Sequence, residues 1–264
     1  MKKVLLLLLI ITNSLCGQQF NKEIFIHKKD SLPYRILLPK NYNSQKLYPM
    51  LIFLHGAGER GDDNELQLIH GGSLFKSNDF RNNYPAIVVF PQCPEKSFWA
   101  NVKRNSDKDI GKKFDFIDDI FENKQLEMVE RLLTFIEKKY KIDTTKRYVG
   151  GLSMGGMGTF ELVARNPDYF AAAFPICGGG NPKWANLLKS TPFWIFHGED
   201  DSVVSVDFSR KMFEALSQVN ASVRLTIYPG VNHNSWDNSF QDPDLINWLF
   251  LNKRKNKRKH SINL

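Results

Sequence analysis

Tyr148-Val149-Gly150-Gly151-Leu152-Ser153-Met154-Gly155-Gly156 joins a short apolar run, residues 147–151, to residues 157–165, which are apolar at helical spacing and stop before Pro167. The pattern G-x-S-x-G, from Gly151 to Gly155, therefore falls where a strand must turn sharply into a helix, with Ser153 on the turn. Raising a serine side chain on so tight a turn brings neighbouring backbone close, and a Cβ at Gly151 or Gly155 would obstruct it. Free N–H groups at the start of the helix then point toward any negative charge that develops beside the serine. A glycine-rich turn with an incidental serine has the same local pattern, so the rest of the chain has to decide.

Other strand ends carry complementary chemistry. Residues 50–54, Met-Leu-Ile-Phe-Leu, have no polar face, as a central strand covered on both sides requires, and they break off into His55-Gly56-Ala57-Gly58-Glu59-Arg60-Gly61-Asp62-Asp63. Residues 86–90 form a second such strand. Residues 193–196 run into His197-Gly198-Glu199-Asp200-Asp201, and the alternating residues 224–228 predict an outer strand followed by a loop that contains His233. A serine hydroxyl is a weak nucleophile at neutral pH and needs a base in hydrogen-bond reach; a histidine serves if a carboxylate fixes its tautomer. Ser153, an aspartate at 200 or 201, and His233 occur in that chain order. His55 and His197 end apolar strands, where a structural hydrogen bond is expected. Glu59, Arg60 and Asp62 either form a salt-bridged cap on their loop, the favoured reading, or meet a polar substrate. The six histidines show no metal-ligand spacing, and no cofactor motif is present.

The remaining pattern predicts an opening antiparallel pair, residues 23–27 and 34–38, divided at Ser31-Leu32-Pro33. Helices are predicted over 125–140, 206–216 and 245–251, with a strand-like run over 169–176. Residues 97–123 read as a long polar loop, of the kind that lies on a ligand side. Alternating strands and helices call for one α/β domain with a mostly parallel sheet, helices on both faces, and functional loops at the carboxyl ends of the strands.

The formal charge of +8 is concentrated at the two ends. Without Lys2, Lys3 and the six basic residues of 253–264, 28 basic residues face 28 acidic ones, a balance that argues against nucleic acid as a partner. Met1-Lys2-Lys3 followed by eight apolar residues reads as a signal peptide over 1–17, too short to span a bilayer. Residues 18–252 then form the domain and 253–264 a basic tail, with a secreted or periplasmic location and no stable membrane insertion. Cys16 lies at the expected cleavage region. Cys93 and Cys177 follow apolar strands, and export permits either a disulfide or two separate buried thiols.

The segments "LHGAGERGDD", "PQCP", "GLSMGG", "ICGGG", "HGEDDSVV" and "HNSW" resemble those of secreted α/β-hydrolase esterases related to polyhydroxybutyrate depolymerases, feruloyl and acetylxylan esterases, and the phospholipase/carboxylesterase family. The resemblance implies an α/β-hydrolase fold and ester hydrolysis through an acyl-enzyme, with a small-molecule or polysaccharide-linked ester as substrate. It implies Ser153 as nucleophile, His233 as base and Asp201 as the residue orienting it, because H-G-x-x-D-x-V-V/I matches at Asp201 and leaves Asp200 as the neighbouring alternative. It further implies the N–H groups of Met154 and Ala57 as the oxyanion hole. Trp99, Trp184 and Trp236 are candidates for a substrate pocket or for packing beneath loops. A prolyl-oligopeptidase-like serine peptidase and a non-catalytic polysaccharide-binding module remain as competing readings.

Overall fold

A computed structural model describes residues 19–105, 114–118 and 122–254. The expected signal peptide, Cys16 and the tail beyond Arg254 lie outside the described residues. Eight strands form one sheet: β1 (Asn21–His27), β2 (Asp30–Leu37), β3 (Tyr48–Leu54), β4 (Ile87–Pro91), β7 (Ile142–Leu152), β8 (Ala172–Ile176), β9 (Phe193–Gly198) and β10 (Val223–Tyr228). Their order is β1-β2-β4-β3-β7-β8-β9-β10, and β2 alone runs against the others. A short antiparallel pair, β5 (Val102–Arg104) and β6 (Phe114–Phe116), stands apart from it within the region expected to be loop.

The apolar strands point alternately into two cores. Met50, Ile52 and Leu54 of β3 face one core, shared with α3 (Lys124–Lys139), α4 (Met154–Arg165) and α6 (Val206–Gln218). Leu51 and Phe53 face the other, closed by α1 (Gly72–Lys76), α2 (Asn78–Asn83), α7 (Trp236–Gln241) and α8 (Leu245–Leu251). A sheet buried on both faces needs no polar residue in its central strands, which is why residues 50–54 and 86–90 are legible as strands. Cys93 belongs to the first core and Cys177 to the second, so the sheet separates them and both are free, buried thiols. The disulfide alternative is therefore not what the fold builds.

Two local expectations change. The first turn is at Lys28, in the left-handed region at φ 55°, and β2 runs straight through Ser31-Leu32-Pro33. Pro33 is tolerated there because its side of the ladder needs no N–H: the neighbouring loop instead donates Gln92 N–H to the Pro33 carbonyl at 2.8 Å. Helix α3 starts at Lys124, where Asn123 Oδ1 accepts the N–H groups of Gln125 and Leu126, both at 3.0 Å, a cap worth about 1 kcal/mol.

Helix α4 packs so closely under β3 that its glycines are obligatory. A Cβ on Gly155 would stand 1.9 Å from the Leu54 carbonyl oxygen, and one on Gly151 would stand 2.4 Å from the Gly155 carbonyl. Gly155→Ala is expected to lower stability by about 3 kcal/mol or more, since rigid backbone must move to admit the methyl. Gly58→Ala, which meets nothing within 4 Å, should change it by less than about 0.5 kcal/mol. Urea midpoints separate the two, and equal midpoints would contradict this packing.

Helix α4 also holds the β5–β6 region. The buried carboxylate of Glu161 accepts Asn101 N–H at 2.6 Å and Asn101 Nδ2 at 3.1 Å. Burial pushes Glu161 from 4.5 up to about 7, against the Asn101 N–H bond and the charge of Arg165. The folded protein thus binds a proton here that the unfolded chain releases. The stabilisation is complete below about pH 4.5 and lost as pH rises through 7. Unfolding midpoints at about pH 5 and about pH 8 should differ less in Glu161→Gln than in the parent chain. An unchanged difference would remove Glu161 as the source.

Candidate active site

Strand β7 ends at Leu152 and helix α4 begins at Met154, leaving Ser153 at φ 52°, ψ −116°. This is a strained conformation for a residue with a Cβ, costing about 1–3 kcal/mol. Ser153 N–H bonds the Ile176 carbonyl at 2.8 Å, and Ser153 C=O receives Met157 N–H at 3.0 Å, so its backbone is tied at both ends. The strain lifts a half-buried hydroxyl out of the sheet edge.

Ser153 Oγ lies 2.9 Å from His233 Nε2, and His233 Nδ1 lies 2.7 Å from Asp201 Oδ2. Three residues from the ends of β7, β9 and β10 thus form one hydrogen-bonded line. Two loops are locked to hold it. Asn232 Oδ1 accepts Ser202 N–H at 3.0 Å and His233 N–H at 2.7 Å, while Asp200 N–H bonds the Val231 carbonyl at 3.0 Å. Gly198 is required at this junction because a Cβ would come 2.3 Å from the carbonyls of Val231 and Asn232.

Asp201 and Asp200 are distinguished by burial. Asp200 is exposed, whereas the Asp201 side chain is fully enclosed. Asp201 Oδ1 accepts the N–H groups of Val203 and Val204, each at 2.8 Å, and its Oδ2 faces both His233 and His197 Nε2, the latter at 3.2 Å. Burial would raise the Asp201 pKa, but the hydrogen bonds of the two histidines, the His233 charge and the Val204 N–H hold it well below the usual carboxylate range. His197 is itself fixed by Ser209 Oγ at 2.7 Å and the Val204 carbonyl at 2.9 Å. Its strand-end position was legible in the sequence; its contact with the same carboxylate as His233 was not.

The other strand end comes against the serine. A Cβ on Gly56 would lie 3.7 Å from Ser153 Cβ. His55 Nε2 accepts Cys93 N–H at 2.9 Å, so Nδ1 carries the proton and donates to the Gly56 carbonyl at 2.6 Å. Burial keeps this imidazole neutral, down at about 4. Gly56 C=O and Ala57 N–H belong to one trans peptide, so holding the carbonyl toward His55 turns the Ala57 N–H the opposite way. Met154, as first residue of its helix, has an N–H without an intrahelical acceptor. The expected salt-bridged cap is met only in part: buried Glu59 faces His70 Nε2 at 3.7 Å, whereas Arg60 donates to the Ala57 carbonyl at 2.8 Å and the Ser97 carbonyl at 3.3 Å without an ion pair among the described residues, and Asp62 is exposed.

Trp99 and Trp184 are buried in the first core, whereas Trp236 packs on the second, beside the triad. Trp236 is half-buried and packs edge-on against His233, centroids 5.6 Å apart, and against His70 at 4.8 Å. Trp99 is fully buried beside the His55 ring, and Trp184 is buried with its Nε1 donating to the Asp118 carbonyl at 3.3 Å. Cys177 Sγ comes within 4.8 Å of ligand atoms of Asp201 and His233, but burial pushes the thiol well above its ordinary pKa.

A family model described as Phospholipase/Carboxylesterase matches residues 41–248. The chain is 33% identical over 160 residues to a bifunctional acetylxylan esterase/xylanase of Neocallimastix patriciarum, which is 60% of this chain and 20% of that protein. It is 26% identical over 196 residues to the carboxylesterase SOBER1 of Arabidopsis thaliana, covering 69% of this chain and 82% of that one. The solved structure of a thermostable esterase matches with a TM-score of 0.80 at 34% identity, over 91% of this chain and 64% of the other. The chain thus spans a fifth of the length of the fungal relative and less than two thirds of that of the solved esterase. The matched residues include the serine turn, the Asp201 loop and the His233 loop on the mostly parallel sheet, and the chain belongs to the phospholipase/carboxylesterase family of α/β-hydrolases.

Proposed function

We propose that this chain is a serine hydrolase that cleaves carboxylic esters through an acyl-enzyme. The observation that carries the reading is the Ser153–His233–Asp201 line, 2.9 and 2.7 Å, at a strained strand-to-helix turn. Ser153 Oγ attacks the ester carbonyl carbon while His233 Nε2 takes the hydroxyl proton. The oxyanion lies against the N–H groups of Met154 and Ala57. Collapse expels the alcohol, which receives that proton from His233. Water then attacks the acyl carbon by the same route and frees the acid and Ser153. Asp201 stays ionised throughout and holds His233 in the tautomer with its proton on Nδ1.

The relatives named for acetylxylan and other carboxylic esters support a short acyl group on a small or polysaccharide-linked alcohol. Trp236, whose ring packs against that of His233 at 5.6 Å, is proposed to border the space the ester enters. Labelling by a fluorophosphonate, with the adduct mapped to Ser153, tests the nucleophile. A panel of acetyl, butyryl, feruloyl and longer esters, run beside chromogenic peptides, tests the substrate class. Faster turnover of peptides than of every ester would replace this reading with a peptidase.

We also infer export, from Lys2, Lys3 and the apolar residues after them, with residues 18–252 as the catalytic domain. No helix among the described residues is long and apolar enough to cross a membrane. N-terminal sequencing of exported protein should begin between residues 16 and 20; Met1 retained on exported protein would contradict cleavage.

A further inference from the structure

The loop after β3 buries a carboxylate that the acyl-transfer steps leave unused. Glu59 is 8% exposed, and its Oε2 is enclosed without a hydrogen-bond partner among the described residues. His55 does not serve it: its Nδ1 stands 4.0 Å from Oε2 and gives its hydrogen to the Gly56 carbonyl at 2.6 Å. Arg60, next in the chain, is spent on the carbonyls of Ala57 and Ser97. Burying a carboxylate without donors is costly, so its retention calls for a donor from outside the chain.

This carboxylate stands beside the nucleophile. The point at which a Gly56 Cβ would lie is 2.9 Å from Glu59 Oε2 and 3.7 Å from Ser153 Cβ. The other oxygen, Oε1, faces His70 Nε2 at 3.7 Å, too far for a direct hydrogen bond. The His70 side chain is 30% exposed against 11% for Glu59, so the pair opens to solvent on the imidazole side. His70 packs on Trp236 at 4.8 Å, and Trp236 on His233 at 5.6 Å. One member of the pair therefore adjoins the nucleophile, and the other is one ring removed from the base.

Resting on the ester-hydrolase reading, we propose that Glu59 and His70 form a hydroxyl-binding subsite that selects esters carrying a free hydroxyl within two carbons of the ester group. A single oxygen can lie about 2.7 Å from a carboxylate oxygen and about 2.9 Å from a ring nitrogen while those two atoms stand 3.7 Å apart. Facing a carboxylate, Nε2 of His70 carries the ring proton, so the pair offers one acceptor and one donor. A hydroxyl donates to the first and accepts from the second, whereas an ammonium group would leave the imidazole N–H unpaired. A water held in the gap would satisfy the same two groups and select nothing.

The test compares kcat/KM of the full chain on two matched pairs, 2-hydroxyethyl acetate against propyl acetate and ethyl glycolate against ethyl propanoate. Each pair exchanges a hydroxyl for a methyl, on the alcohol side in the first and on the acid side in the second. Dividing each ratio by that for alkaline hydrolysis of the same esters removes their intrinsic reactivity. The parent chain should favour the hydroxylated member of one pair at least about tenfold. Glu59→Gln, and His70→Phe, which keeps a ring on Trp236, should each remove most of that preference; a ratio cancels any loss that a substitution imposes on both esters. Hydrolysis of the four esters without preference, or a preference that either variant retains, would overturn the subsite and leave the esterase reading standing. A retained preference with lowered unfolding midpoints would assign the pair to a bridging water instead. Hydrolysis of none of the four would remove the esterase reading and the subsite with it.

Discussion

Ser153→Ala is expected to lower kcat/KM on a short acyl ester by about 10⁶-fold while leaving the fold intact. The change removes one half-buried oxygen, and the bonds that hold the turn, Ser153 N–H to Ile176 and Met157 N–H to Ser153 C=O, are main-chain bonds the alanine keeps. His233→Ala should cost about as much. The double variant should lose little beyond either single one, because nucleophile and base act in the same proton transfer and removing one already idles the other. Activity left in each should come from binding and from the N–H groups beside Ser153. Steady-state kinetics on folded variants, with unfolding midpoints as control, reads all three. Near-parent activity in Ser153→Ala would end the covalent mechanism, and strictly multiplicative losses would deny that the two residues work together.

Asp201→Asn should cost about 10⁴-fold, the size of such an exchange in a serine-protease triad. The amide keeps an oxygen for Val203 and Val204 N–H and presents its NH₂ where Oδ2 now faces His233 Nδ1 at 2.7 Å and His197 Nε2 at 3.2 Å. Two ring N–H groups would then meet a donor. His233 is free to turn its proton to Nε2, where it can no longer accept from Ser153. His197 is anchored by Ser209 and the Val204 carbonyl and cannot follow, so this variant should also be less stable. Asp200→Asn should change kcat/KM by less than about tenfold, since that carboxylate is exposed and only its N–H, to Val231, orders the loop. A greater loss in Asp200→Asn than in Asp201→Asn would move the orienting role by one residue.

The sequence by itself determined the layered α/β architecture, because strands buried on both faces have to be apolar throughout and the helices between them have to be amphipathic. It also determined the serine turn. Gly151 and Gly155 sit where a Cβ would strike the backbone, a steric demand that no distant residue can relax. Serine, aspartate and histidine in their chain order followed from the same strand ends, each short segment carrying its own signal.

Only the tertiary structure decided what depends on burial and on partners far along the chain. The motif match already favoured Asp201 over Asp200, and the structure supplies the physical reason: one is enclosed between two histidines and the other meets solvent. His55 orients the Gly56–Ala57 peptide, the proposed second oxyanion donor, through its bond to the Gly56 carbonyl and is held in turn by Cys93, 38 residues away. Glu161 binds Asn101 across 60 residues, and the two thiols fall in separate cores because the sheet passes between them. Residue type and local spacing carry the turn and the strands; a buried polar group finds its partner only when the chain has closed around it, since low-dielectric packing is what makes that partner obligatory.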